Sequence, residues 1–164
     1  MTCCYIGLGA NIDDPVHQLE LALQALSALP QTALVRVSSL YGSRPLGPED
    51  QPDYVNAVAE INTQLEPMAL LDALQSQEQQ QGRIKRRHWG ERCIDLDLLL
   101  YGSLTMDSDR LTIPHKELHK RSFVVEPLRE IAPGLHLPDG TAIAELEPEF
   151  GGELHRIGAL SVDL

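Results

Sequence analysis

The run Cys93-Ile94-Asp95-Leu96-Asp97-Leu98-Leu99-Leu100-Tyr101 is apolar and interrupted twice by aspartate. Its length and composition suit a strand, and residues two apart in a strand point to the same face. Asp95 and Asp97 therefore project together from a strand that otherwise belongs to a core. Two bare carboxylates in such a setting are costly. Three arrangements relieve the cost: a strand end in water, arginine partners, or a hard cation. Mg²⁺ takes oxygen ligands and uses one or two carboxylates together with substrate phosphates.

Outward from this run, helical and strand-like segments alternate. Residues 2–8 read as a buried strand stopped by Gly9, and Gly7 and Gly9 read as a tight turn before a helix. Pro15 opens that helix, with Val16, Leu19, Leu23 and Leu26 on one face, and Pro30 ends it. Residues 33–42 read as a strand, and the Pro/Gly-punctuated stretch from Ser43 to Pro52 as a loop. From 54 to 64 the pattern alternates: Val55, Ala57, Ala59 and Ile61 on one face, Tyr54, Asn56, Val58 and Glu60 on the other. Pro67 starts a second helix with Leu71, Leu74 and Glu78 along one stripe, closed by Gly82. After the aspartate strand, 104–113 fits a small hairpin. Residues 117–132 fit a helix kinked or broken at Pro127, and a short helix is expected near 142–146. The stretch after Phe150 carries no pattern. This order predicts an α+β fold: a ferredoxin-like βαββαβ core, mainly antiparallel sheet packed with helices, plus C-terminal helices, as one domain over 1–164.

The chain has 164 residues, 43% of them hydrophobic, enough for one core without staples. Its formal charge of −11 is unevenly spread. Residues 1–82 carry net −8 and residues 122–164 net −6, whereas residues 83–121 carry net +3 and hold nine of the 13 Lys and Arg. The overall acidity argues against a nucleic-acid or anionic-membrane coat. Cys3, Cys4 and Cys93 form neither a disulfide framework nor a zinc cage, which fits a reducing cytoplasm. The N-terminus has no basic, apolar leader, and no apolar run approaches the ~20 residues of a membrane helix.

The basic island is a loop: Arg83, Lys85, Arg86, Arg87, His88, Trp89, Gly90 and Arg92. Beside two carboxylates it makes a mixed-charge site complementary to a polyphosphate with bound Mg²⁺. The alternative is a solvated charge run. Gly82 and Gly90 bracket the loop as a lid's hinges do. Tyr54 and Asn56 share a strand face beside Ser43-Arg44-Pro45-Leu46, a set able to hold a flat heterocycle or simply to pack. The six histidines lack zinc-site spacing, and no P-loop or dinucleotide fingerprint occurs.

Together these segments resemble the 6-hydroxymethyl-7,8-dihydropterin pyrophosphokinase family of folate biosynthesis, from Tyr5-Ile-Gly-Leu-Gly-Ala-Asn11 to Glu130-Ile-Ala-Pro133. The most specific part is His88-Trp-Gly-Glu-Arg-Cys-Ile-Asp-Leu-Asp-Leu-Leu99. Pro45-Leu-Gly47, Asp50 to Asn56, Glu78, Gln81-Gly-Arg83, Ile113-Pro-His115 and Arg121-Ser-Phe123 support it. The resemblance implies transfer of pyrophosphate from ATP to the pterin hydroxyl, with AMP leaving. It implies that Asp95 and Asp97 hold two Mg²⁺ ions and that Arg83 and Arg92 stabilise the triphosphate. Leu71, Gln75, Glu78, Lys85, Arg92, Leu98, Arg110, Thr112, His115 and Arg121 would line the ATP site. Ser43, Pro45, Leu46, Asn56 and Trp89 would join Tyr54 and Phe123 around the pterin. The implied protein is a cytoplasmic monomer that binds neither nucleic acid nor membrane. Lys116 departs from the family pattern, and the basic loop is one residue shorter than in some relatives. The rival readings are a different Mg²⁺-dependent phosphotransferase and a non-catalytic pterin- or ATP-binding relative.

Overall fold

The computed structural model describes residues 1–12, 14–43, 54–82, 93–148 and 154–158. The first strand, β1 (Thr2–Ala10), is buried from Cys4 onward and runs straight through Gly7 and Gly9. The expected turn at these glycines is therefore a correction: paired strands on both sides hold them extended. Asp14 helps to redirect the chain instead. Its left-handed backbone (φ 60°) and its carboxylate, which accepts the His17 N–H at 3.5 Å, precede Pro15 in the first helical position. The helix α1 (Pro15–Ser27) follows and buries Leu19, Ala22, Leu23 and Leu26.

The single strand expected over 33–42 is two, β2 (Thr32–Val37) and β3 (Leu40–Ser43). Both pair antiparallel with β4 (Tyr54–Thr63). Between the Val37–Ala59 and Tyr41–Asn56 pairs this edge holds one residue more than β4. Ser38 absorbs the mismatch. Its N–H donates to the Val58 carbonyl and its hydroxyl accepts from the Val58 N–H, both at 2.9 Å. A side chain here does the work of a backbone acceptor, which is what a bulge requires.

The helix α2 (Pro67–Gly82) leads to β5 (Asp95–Tyr101), and the hairpin of β6 (Met106–Asp107) with β7 (Thr112–Ile113) lies where the sequence placed one. The segment 117–132 divides at Arg121, not at Pro127. A 3₁₀ turn (Leu118–Lys120) precedes α3 (Ser122–Ile131), and Pro127 sits inside the helix. Buried Val124, Val125, Leu128 and Ile131 hold the helix in place despite the missing N–H. The expected short helix near 142–146 is a 3₁₀ turn, Ile143–Glu145. The stretch without a sequence reading contains β8 (His155–Gly158), which pairs with β3.

The strand order is β5-β1-β4-β3-β8, with β2 also on β4, and every pairing is antiparallel. This is the ferredoxin-like order, with its edge strand broken and β8 added outside it. α1 and α2 cover one face, packing Leu23 and Leu74 against Ile6, Ile61 and Leu98. α3 covers the other, packing Val125 and Leu128 against Tyr5, Val58 and Leu99. Among the described residues no helix is long and apolar enough to cross a membrane.

Glu130 ties three elements together. Its carboxylate accepts the Ser39 N–H (2.9 Å), the Ser39 hydroxyl (2.7 Å) and the Tyr41 hydroxyl (2.9 Å), and it pairs with Arg156 of β8 at 3.2 Å. Burial pushes its pKa up, but the donors from Ser39 and Tyr41 and the Arg156 charge outweigh that and hold it below the ordinary glutamate value. A depressed carboxylate stabilises the fold fully above its unfolded pKa, and that contribution is lost as pH falls through the folded one. Acid titration of stability, followed by urea unfolding, is expected to show this loss below about pH 4.3, the ordinary glutamate pKa. Glu130→Gln should flatten that part of the profile. Leu23→Ala, which empties a fully buried site, should cost about 2–5 kcal/mol in the same assay.

Candidate active site

The site is built on the α3 side of the sheet, where three adjacent strands place unlike residues side by side. In β5, Asp95 and Asp97 alternate with Leu96 and Leu98, which enter the core under α1 and α2. Gly9 stands between Asp95 and Asn56 in register, and Gly7 between Asp97 and Val58. The two glycines put no side chain between the carboxylates and the β4 residues. A Cβ at Gly9 would come within 3.1 Å of Asn56 Oδ1 and 3.7 Å of the Tyr54 ring, and one at Gly7 within 3.4 Å of Leu99. Asp97 is 43% exposed, so its charge meets water. Asn56 is buried to 4%. Here the sequence missed a function: two glycines that look like a turn form the floor of the site.

Other elements bring further groups to this floor. The His115 N–H donates to the Leu99 carbonyl at 2.9 Å, which lays that loop along β5. His115 Nδ1 accepts the Glu117 N–H at 3.1 Å, so in the neutral ring the proton sits on Nε2, 3.9 Å from Asp97. Burial lowers the pKa of this imidazole while Asp97 pulls it up, and burial prevails. The Arg121 guanidinium lies over the Phe123 ring, 5.6 Å from its centre, at the start of α3.

The helix side contributes support. Glu78 accepts the Leu96 N–H at 2.8 Å and so pins the backbone between the two aspartates. Arg110, from the β6–β7 connection, donates to Gln75 at 2.9 Å and to Asp72 at 2.6 Å. The structure thus brings Gln75 and Arg110 together, and Asp72 is an additional partner that motif reading did not single out. Leu71 and Leu98 pack in the core, and Thr112 pairs with Asp107 in the hairpin. Ser43 ends β3 opposite Tyr54. Pro45, Leu46, Arg83, Lys85, Trp89 and Arg92, with the rest of the basic loop, lie outside the described residues.

A divalent cation suits this floor. Asp95 and Asp97 offer two hard oxygen donors on one face, and the described residues hold no cluster of three or more His, Cys, Asp or Glu able to grip a metal by themselves. Two protein carboxylates, with remaining positions left to water and phosphate, is how Mg²⁺ binds beside a nucleotide.

Residues 5–133 match the model of the family described as 7,8-dihydro-6-hydroxymethylpterin-pyrophosphokinase (HPPK). The chain belongs to this family. It is 55% identical over 150 residues to the 2-amino-4-hydroxy-6-hydroxymethyldihydropteridine pyrophosphokinase of Haemophilus influenzae, covering 92% of this chain and 94% of that protein. The protein of the same name from Pseudomonas aeruginosa is 50% identical over 142 residues, covering 87% and 88%. Among solved structures, Plasmodium falciparum HPPK-DHPS wild type with SDX-DHP superposes with a TM-score of 0.66 at 14% identity. The match covers 88% of this chain and 42% of that one, and at such identity it speaks for the fold alone. The α+β, ferredoxin-like fold expected from the order of helices and strands is the one observed.

Glu78→Ala should leave the Leu96 N–H without this acceptor. The expected result is a loss of about 1–3 kcal/mol in urea unfolding. Hydrogen exchange at the Leu96 amide should accelerate more than at Leu99 or Leu100.

Proposed function

We propose that the chain transfers the pyrophosphoryl group of ATP to the hydroxyl of 6-hydroxymethyl-7,8-dihydropterin, releasing AMP, as a step of folate biosynthesis. The observation that carries this reading is the floor itself: Asp95 and Asp97 on one strand, Tyr54 and Asn56 two strands away, and glycine between them. A charged end and an aromatic, amide-bearing end on one surface suit a reaction that joins a polyphosphate to a flat heterocycle. The names of relatives sharing half of the residues agree.

In this reading the pterin oxygen attacks the β-phosphorus, the bond to the α-phosphate oxygen breaks, and the hydroxyl proton leaves to solvent. Asp95 and Asp97 would hold two Mg²⁺ ions with the nucleotide, and the metal would supply charge neutralisation to the phosphates. His115 offers its Nε2–H to a phosphate oxygen. Arg110, held by Asp72 and Gln75, and Arg121, stacked on Phe123, offer fixed cations. Glu78 keeps the aspartate strand in register and Thr112 walls the nucleotide, while Leu71 and Leu98 support these positions from the core beneath. Tyr54 and Phe123 sandwich the ring, and Asn56 with Ser43 reads its edge. Arg83, Lys85, Trp89, Arg92, Pro45 and Leu46 keep the roles the resemblance implies: the arginines on the shifting triphosphate charge, Trp89 closing over the pterin. Buried Cys4 and Cys93 accord with a cytoplasmic protein, which we take to act as a monomer.

AMP release from ATP and Mg²⁺ should depend on added dihydropterin; release that ignores the pterin, or none at all, would overturn the assignment. Asp97→Ala should lower turnover by at least about 10²-fold with an unchanged circular dichroism spectrum. Full turnover of that variant in Mg²⁺ would remove the aspartates from the metal site.

A further inference from the structure

The Glu130 tie lies outside the site, yet it holds both walls of the pterin end. β3 meets β4 through three register pairs, Tyr41–Asn56, Gly42–Val55 and Ser43–Tyr54. A strand this short, with the Ser38 bulge before it, has little pairing of its own to keep it in place. Tyr41 is directly opposite Asn56, so the two side chains stand on the same face at neighbouring positions. The Tyr41 ring is buried to 8%, its hydroxyl donates to Glu130, and the Arg156 guanidinium lies 5.8 Å above its centre. Arg156 also donates to the Tyr41 hydroxyl at 3.4 Å.

Glu130 is seven residues, two helical turns, from Phe123, so both project from the same side of α3 about 10 Å apart along its axis. One carboxylate therefore couples the helix that carries Phe123 to the strand that backs Asn56 and Tyr54. A flat ring between Tyr54 and Phe123 needs that separation fixed to a few tenths of an ångström, because stacking falls off steeply with distance.

We infer that Tyr41, Glu130 and Arg156 are positioning residues for the pterin, and that β8 serves the reaction by clamping β3 against β4 and α3. The inference deepens the proposed function and rests on it. The C-terminal strand thereby acquires a role: its arginine reaches both the tyrosine that flanks Asn56 and the carboxylate that sets the position of α3. The clamp acts mainly on one substrate. Most of the nucleotide groups, Asp95, Asp97, Gln75 and Arg110, lie on β5, α2 and the β6–β7 connection, and none of the clamp contacts reaches them. Only Arg121, stacked on Phe123 at the start of α3, shares its helix with the clamp.

The test measures the affinity of full-length wild type, Tyr41→Phe, Arg156→Ala and Arg156→Lys for the dihydropterin. Mg²⁺ and α,β-methylene-ATP are present, since this analogue blocks the bond that transfer would break. Arg156 is 58% exposed, so its truncation spares the core. Arg156→Ala and Tyr41→Phe should each weaken pterin binding about two- to fivefold, while binding of the analogue alone changes less. A fifth protein, the Tyr41→Phe/Arg156→Ala double variant, should be less than additive, because both changes cut one node. Arg156→Lys should recover part of the loss through its charge. Equal pterin affinity across the five proteins would overturn the inference and leave the function standing. Parallel losses for nucleotide and pterin would also overturn it, as general destabilisation. A wild type that does not bind the dihydropterin would overturn the proposed function itself, and the clamp with it.

Discussion

β5 has to serve two cores and still present two carboxylates to water, and the rest of the molecule is arranged around that demand. Strict alternation sends Leu96 and Leu98 under α1 and α2 and leaves Asp95 and Asp97 on the opposite face. Further along, the pairing with β1 skips a residue: Tyr5 faces Leu100, but Ile6 faces Leu98. The irregularity lets Leu99 and Leu100 both join the core under α3, while Tyr101 turns back to the first. One end of the strand is thus sealed on both faces and the other stays polar on one. Glu78, reaching from α2 to the Leu96 N–H, fixes the backbone where the polar part begins.

The surroundings of the aspartates follow from this. Residues beside a pair of carboxylates must leave room for whatever neutralises them, and Gly7 and Gly9 are their register partners. A Cβ at Gly9 would crowd Asn56 and reach contact with the Tyr54 ring. The same pleat that exposes the acids thus lines up the amide and the phenol two strands away. The charged and the aromatic ends of the site occupy one continuous surface because the sheet is antiparallel and in register across β5, β1 and β4.

Local chemistry made much of this legible beforehand. Pro15 and Pro67 start helices where proline at the first turn should, the apolar stripes of α1 and α2 face the sheet, and the two faces of β4 are those its alternation indicates. The failures have specific causes. Gly7 and Gly9 look like a turn because nothing local reveals that strands flank them on both sides. The split of the edge strand at Ser38 depends on a hydroxyl meeting the Val58 N–H, twenty residues away. Pro127 looks like a helix breaker until the burial of α3 is counted. β8 has no pattern of its own and is a strand because β3 offers it an open edge.

By itself, then, the sequence determined what local forces decide: the βαββαβ order, the helix starts, the shared face of Asp95 and Asp97, and the concentration of positive charge in one segment of an acidic chain. The motif resemblance added the family. Tertiary structure alone decided which residues oppose one another across strands. It brought Gly9 between Asp95 and Asn56, Asp72 to Arg110, and Glu130 to Ser39, Tyr41 and Arg156. The physical reason is separation along the chain. Strand register and long-range hydrogen bonds depend on partners tens of residues apart, and they become definite only once both cores have closed.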